Sequence, residues 1–391
     1  MKLKKIYESA NTGLDAIKRA PILDYKTDLR CIRIQDISQS KGYYDWGYTK
    51  TTLSDYKKFK LRKNDILVAR TGATVGVSYI VNDEYEAVFN NGTIRLRLKD
   101  SVNPHFIYYI FQSKEFRQYI ENVSCVSTQP NLKVENLLRF EIPEYERLKQ
   151  DLIVDILLKY DESIENNNKR IVFVEHIVEE IYKEWFARFR FPEYKNYSFI
   201  DSKPYGWIYG NKSNMKIPFN WHFGKLEEIG KFVRGKNITS DKMQEGKIPV
   251  ISAGIEPSGY HNQANVKGKS LTMSASGANA GYLKYNLDNI WAADCSYYQN
   301  DENIWFVYSS LKFIEAAIKN LQVGSAQPHV YAKNINNLNI IIPEEKYIKM
   351  YNDFVNPMFE EIKKLNEKNE ILIQQRDLLL PRLMSGKLEV K

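Results

Sequence analysis

Cysteine is scarce in this chain: three residues in 391, at positions 31, 125 and 295, with no Cys-x-x-Cys pair. That excludes a disulfide framework and a cysteine-based zinc site. The five histidines lack metal-ligand spacing as well. No run approaches the roughly 18 uncharged residues of a membrane span. Met1-Lys2-Leu3-Lys4-Lys5 leads into no apolar stretch of the kind a signal peptide has. A reducing aqueous compartment, the cytoplasm, is therefore expected, with no membrane association.

Cofactor-binding signatures are missing too. Gly268-Lys269-Ser270 matches the end of a phosphate-binding loop, but Gln263 stands where its first glycine belongs. Asn103-Pro104-His105-Phe106 resembles an amino-methyltransferase tetrapeptide without its second proline, and no glycine-rich strand–turn for a methyl donor accompanies it. The Gly-x-x-x-Gly loops lack the spacing of a dinucleotide fingerprint. Carboxylates such as Asp151, Asp155, Asp161 and Glu162 lie among lysines on a solvated helix face. No nucleophile–base set emerges, so no catalytic residue, no metal and no cofactor is expected in this chain.

Basic charge and tyrosine are plentiful. Lys and Arg number 56 against 48 Asp and Glu, a net charge of +8. That balance favours a polyanionic partner, nucleic acid or an acidic membrane surface, although it also serves simple solubility. Of the 27 tyrosines many stand beside Lys, Arg or Asn, as in Tyr43-Tyr44 and Tyr56-Lys57-Lys58. A flat apolar ring with a polar tip suits wet binding surfaces, and it suits cores equally. The length predicts about two to three domains.

The chain is written twice. Arg70-Thr71-Gly72-Ala73-Thr74-Val75-Gly76 recurs 205 residues later as Ala275-Ser276-Gly277-Ala278-Asn279-Ala280-Gly281. Ser127-Thr128-Gln129-Pro130 recurs as Ser325-Ala326-Gln327-Pro328, and Phe140-Glu141-Ile142-Pro143 as Ile340-Ile341-Ile342-Pro343. Three correspondences in one order mark an internal repeat of about 200 residues. A long, charged, helix-like segment follows each closing proline.

In the first such segment the spacing alternates four and three from Ile153 to Trp185 through Leu157, Ile164, Asn167, Ile171 and Val178. The second repeats it from Tyr351 to Leu383 through Met358, Leu365, Asn369, Leu372 and Leu379, with Asn369 and Arg376 as polar exceptions. Two sustained a/d columns predict mutual pairing as a coiled coil, the alternative being two separate amphipathic surface helices. One polar seam residue commonly fixes register. Pro357 predicts that the continuous part of the second helix starts there, with the proline in its first turn.

Between the helices the blocks read as mixed β and α. Strands are predicted at 65–69 and 78–81 around the first glycine turn, and a half-buried strand at 93–98. Helices are predicted over His105–Tyr119 and Ile304–Leu321. The fold class is α+β: two mixed blocks, 1–143 and 215–343, and two long helices, 144–190 and 344–391, with a linker over 191–214.

The order of block, helix, block, helix resembles the specificity subunits of Type I restriction–modification systems. Leu380-Pro381-Arg382-Leu383-Met384-Ser385-Gly386-Lys387-Leu388 is similar to that family's ending. Ile217-Pro218-Phe219-Asn220-Trp221, followed by Leu226-Glu227-Glu228-Ile229, is similar to the opening of its target recognition domains. Asp65-Ile66-Leu67 before Gly72 and Gly76, and Glu184-Trp185-Phe186 before Pro192, fit as well. The first block lacks the Pro-x-x-Trp opening and so enters the family pattern partway through.

The resemblance implies two target recognition domains, each reading half of a split double-stranded DNA target, and antiparallel helices that hold them apart. It implies two methyltransferase subunits using S-adenosylmethionine, and motor-nuclease subunits using ATP and Mg, as partners. The chain itself would be non-catalytic. A specificity subunit of a methylation-only or Type II-like system, and a self-contained methyltransferase or nuclease, are the alternatives. The family fixes no base-reading residues. By position, the candidates are Arg70, Thr71, Thr74, Thr128, Gln129 and Asn131 in the first block, and Ser276, Asn279, Gln327 and His329 in the second. Amide side chains can read adenine through two hydrogen bonds. The same recurrence would equally mark a shared scaffold turn.

Overall fold

Each of the two glycine turns closes a hairpin in a four-stranded antiparallel sheet, and the two sheets share one strand order around it. The structure, a computed structural model, describes residues 1–39, 41–124, 130–202, 215–322 and 328–389. The chain forms two units, Met1–Glu165 with Glu370–Lys391, and Asn166–Asn369. The division falls within both long helices.

In the first unit, β1 (Tyr7–Thr12), β5 (Ile66–Ala69), β6 (Ser78–Ile80) and β8 (Thr93–Leu98) form one sheet in the order β1-β8-β5-β6. A second sheet orders β2 (Ile22–Leu23), β4 (Gly47–Thr49), β3 (Leu29–Ile32) and β7 (Ala87–Phe89), with β3 and β7 parallel. Strand β8 is buried almost throughout, not half-buried as its alternation predicts. It lies between two neighbours, and the Arg95 head group is held inside by the carbonyls of Lys60 (3.2 Å) and Lys58 (3.4 Å). Below the sheet pack α1 (Pro104–Phe111), α2 (Lys114–Ser124) and the first half of α3 (Arg147–Tyr182).

The second unit repeats this scheme. Strands β12 (Val233–Arg234), β15 (Ser270–Ser274), β16 (Leu283–Asn286) and β18 (Cys295–Tyr298) take the order β12-β18-β15-β16. Strands β13 (Ile248–Ile251), β14 (Gly259–His261) and β17 (Trp291–Ala292) form the other sheet, with β13 and β17 parallel. Helices α4 (Ile304–Phe313) and α5 (Glu315–Lys319) replace the single predicted helix, as α1 and α2 do in the first unit. Ser113 explains the first break: its Oγ accepts from Phe116 N at 3.2 Å and caps the new helix.

Of the segment 191–214, expected as linker, residues 191–202 are described, and they take part in packing and pairing. Phe191 stacks on Trp221 with ring centroids 4.7 Å apart, and β9 (Phe199–Ser202) pairs with β10 (Met215–Pro218). β11 (His222–Lys225) pairs with β19 (Asn339–Ile342).

The final helix, α6 (Glu345–Met384), begins twelve residues before Pro357. Proline removes the N–H that Asp353 would accept from, at a usual cost of about 3 kcal/mol. The preceding turns outweigh it because Tyr347, Tyr351 and Val355 are fully buried, each worth about 1.5–3 kcal/mol by the scale for large apolar side chains. Within each unit α3 and α6 run antiparallel. Arg170 meets Glu361 in the second unit, while Asp161 meets Arg376 and Tyr145 bonds the Met384 carbonyl in the first.

Candidate nucleic-acid interface

Glycine is required at both ends of each turn. Gly72 and Gly277 have φ of +81° and +75°, and Gly76 and Gly281 have φ of +90° and +85°, a region L-residues seldom enter. At the second position space is also short. A Cβ on Gly76 would lie 2.9 Å from Ile120 of α2, and one on Gly281 3.0 Å from Ile318 of α5. The turn is thus pressed against the same helix in both units.

A second loop joins each turn. Leu132 N donates to Arg70 O at 2.7 Å, and Val330 N donates to Ala275 O at 3.0 Å. Thr71 forms a β-bridge with Asn131, and Ser276 forms one with His329. Arg70, Thr71 and Asn131 are therefore brought together, as are Ser276 and His329. Thr74 and Asn279 sit half-buried within their turns. Thr128, Gln129 and Gln327 lie outside the described residues.

The backbone repeats, but the side chains do not. Arg70 donates from Nε (3.3 Å) and a terminal nitrogen (3.1 Å) to Oδ1 of Asn131. In the second unit Ser276 Oγ donates to Asp294 Oδ2 at 2.5 Å, and the other Asp294 oxygen is ion-paired with Arg234. Burial works against the charge of Asp294. The Ser276 hydroxyl and the Arg234 guanidinium outweigh it and hold the carboxyl below the usual carboxylate range. His329 stacks near-parallel over Tyr331 with centroids 6.0 Å apart.

Sequence reasoning missed Arg234 and Asp294. The one available signal was a single shared glycine. Leu14 N bonds Phe89 O and Lys236 N bonds Ala292 O, both at 2.9 Å, which makes Thr12-Gly13 the counterpart of Arg234-Gly235. The separation there is 222 residues rather than 205, because the intervening loops differ in length.

Each long helix carries the same polar contact to its own block. Gln150 on α3 accepts from Asn103 N, and Asn352 on α6 accepts from Trp305 N, both at 2.9 Å. Each binds a backbone amide at the start of the helix packed beside it, α1 or α4. Leu157, Val178, Leu365, Asn167 and Asn369 are buried, whereas Ile164, Ile171, Met358, Leu372 and Leu379 are half-buried. Asn167 Nδ2 donates to Asn369 Oδ1 at 2.8 Å. Arg376, the remaining polar exception, donates to Asp161 at 2.7 Å, and Tyr109 hydroxyl donates to the same carboxylate at 2.6 Å.

Among the described residues no group of three or more His, Cys, Asp and Glu could hold a metal ion. No described helix is long and apolar enough to cross a membrane.

Comparison with known proteins gives this arrangement its class. The Type I restriction modification DNA specificity domain matches residues 2–176 and again 218–372, so the chain belongs to the family of Type I restriction–modification specificity subunits. That family supplies DNA recognition rather than catalysis. The MjaIX specificity subunit of Methanocaldococcus jannaschii, a Type I restriction enzyme component, is 28% identical over 342 residues, covering 81% of this chain and 76% of its own. The HindI specificity subunit of Haemophilus influenzae is 22% identical over 387 residues, with 80% and 82% covered. The crystal structure of a Type I S subunit from M. genitalium shares the fold at 19% identity, with a TM-score of 0.54 over 98% of this chain and 95% of that one.

Proposed function

We propose that each unit reads one half of a bipartite double-stranded DNA target, and that the paired helices set the spacing and dock two methyltransferase subunits. The observation that carries this reading is one backbone scaffold built twice with different side chains gathered around the same turn: Arg70 and Asn131 in one unit, Ser276, Asp294 and Arg234 in the other. Identical frames with unlike polar groups suit two readers of unlike sequence. The net charge of +8 suits a phosphate backbone.

Helix α3, with 36 residues, is about 54 Å long at 1.5 Å per residue. Half-sites on one face of B-DNA stand about 34–36 Å apart per turn, so the helices are long enough to act as the spacer. Their outward residues include exposed apolar side chains, Val172 and Phe173 on α3 and Ile371 and Leu378 on α6, which suit a protein partner. S-adenosylmethionine belongs to the methyltransferase partners, and ATP and Mg to motor-nuclease subunits. The complex acts on DNA in the cytoplasm.

The test is reconstitution. The purified chain with S-adenosylmethionine and duplex DNA transfers no methyl group and cuts nothing. Added to the methyltransferase subunits encoded beside it, it gives a complex that methylates a split sequence, with affinity falling steeply as salt rises. Methyl transfer by the isolated chain would overturn the assignment.

A further inference from the structure

We infer that each unit reads a guanine through one arginine, Arg70 in the first and Arg234 in the second, each held in place by an acceptor fixed to the glycine turn. The inference rests on the reading of two half-site readers proposed above and names the base and the side chain.

Arginine is the side chain that matches guanine best, because its planar fork meets O6 and N7 together. A fork on a flexible stem discriminates only if something holds its plane. Asn131 Oδ1 accepts from Nε and one terminal nitrogen of Arg70. Those bonds use the side edge of the guanidinium and leave the terminal edge, which fits O6 and N7, outside the contact. With Oδ1 engaged by Arg70, Asn131 lacks the free acceptor that two-point adenine reading requires.

In the second unit Asp294 does the holding, accepting from one terminal nitrogen of Arg234 and leaving Nε and the other terminal nitrogen outside that contact. It is itself anchored by Ser276 of the turn, while Arg234 stands on the edge strand β12 with half of its side chain exposed. An exposed ion pair contributes about 0–1 kcal/mol to stability, too little to explain a carboxylate clamped on two sides. A clamp that orients a guanidinium explains it. Arg70 directly follows β5 whereas Arg234 lies on β12, and both stand beside the joined turn and loop.

The experiment uses the complete complex with its methyltransferase subunits and a panel of duplexes in which every target position is replaced in turn. Arg70→Lys and Arg234→Lys keep the charge and lose the fork. Each should relax preference for one G·C pair by about 5- to 150-fold, the range for a two-point contact. The two relaxed positions should lie in opposite half-sites, with thermal midpoints unchanged. Asp294→Ala should relax the same position as Arg234→Lys, since it acts by positioning that residue. A uniform loss of affinity across all sequences would mean a phosphate contact and overturn the inference. So would an unchanged profile in a complex whose wild type recognises a split target. A wild type with no split target would overturn the reading beneath it, and the inference with it.

Discussion

Asn167 Nδ2 donates to Asn369 Oδ1 at 2.8 Å, and both amides are buried between the antiparallel helices. Asn369 donates in turn to Asn168 Oδ1 at 2.8 Å. A buried amide pair adds little net stability, but it penalises every register that separates the two residues. Replacing Asn167 by Leu leaves the Asn369 oxygen without this donor and should lower stability by about 1–3 kcal/mol. Replacing both by Leu should recover most of that loss in a denaturant melt while weakening register. A double variant less stable than the single one would contradict this role.

The paired glycines separate backbone strain from crowding. Alanine at Gly72 or Gly277 meets open space, so only the left-handed backbone is penalised, by about 1–2 kcal/mol. Alanine at Gly76 or Gly281 meets Ile120 or Ile318 as well. Thermal unfolding should rank Gly76→Ala below Gly72→Ala, and Gly281→Ala below Gly277→Ala. Equal losses within each pair would show that the turn is not pressed on the helix.

The seam and the turns are legible in the sequence because each is a local pattern. A 3.5-residue period needs only its own helix, and glycine at positive φ needs only its own turn. The Arg234–Asp294 pair spans sixty residues and depends on β12 meeting β18, which no local spacing encodes. The early start of α6 is hidden for a similar reason. Pro357 argues locally for a boundary, and the burial of Tyr347 and Tyr351 against distant residues decides otherwise.

Burial pushes the Cys31 and Cys295 thiols up to about 12. At pH 8 a thiol with that pKa is ionised to about one part in 10⁴, against roughly a quarter for a free cysteine near 8.5. Raising the pH increases the thiolate, but little is reached before the alkaline range. Iodoacetamide at pH 8 should therefore leave both residues unmodified in the native chain and label both after denaturation, as read by peptide mass spectrometry. Labelling of either in the folded chain, as fast as in a model peptide, would contradict their placement.

Spacing between the half-sites should be fixed by the helices. Adding one or two base pairs between them rotates one half by about 34° per pair and should abolish methylation by the reconstituted complex. A complex that tolerates several spacer lengths equally would not be using a rigid helical pair.

Separateness of the two readers is what a block exchange probes most directly. Exchanging residues 1–143 for the corresponding block of another family member, in the complex with its methyltransferase subunits, and mapping every methylated site in a genome tests it. Two separate readers predict a new sequence in one half of the target, the old sequence in the other, and an unchanged spacer. Change in both halves together, or loss of the split pattern in a complex that still assembles and methylates, would contradict it.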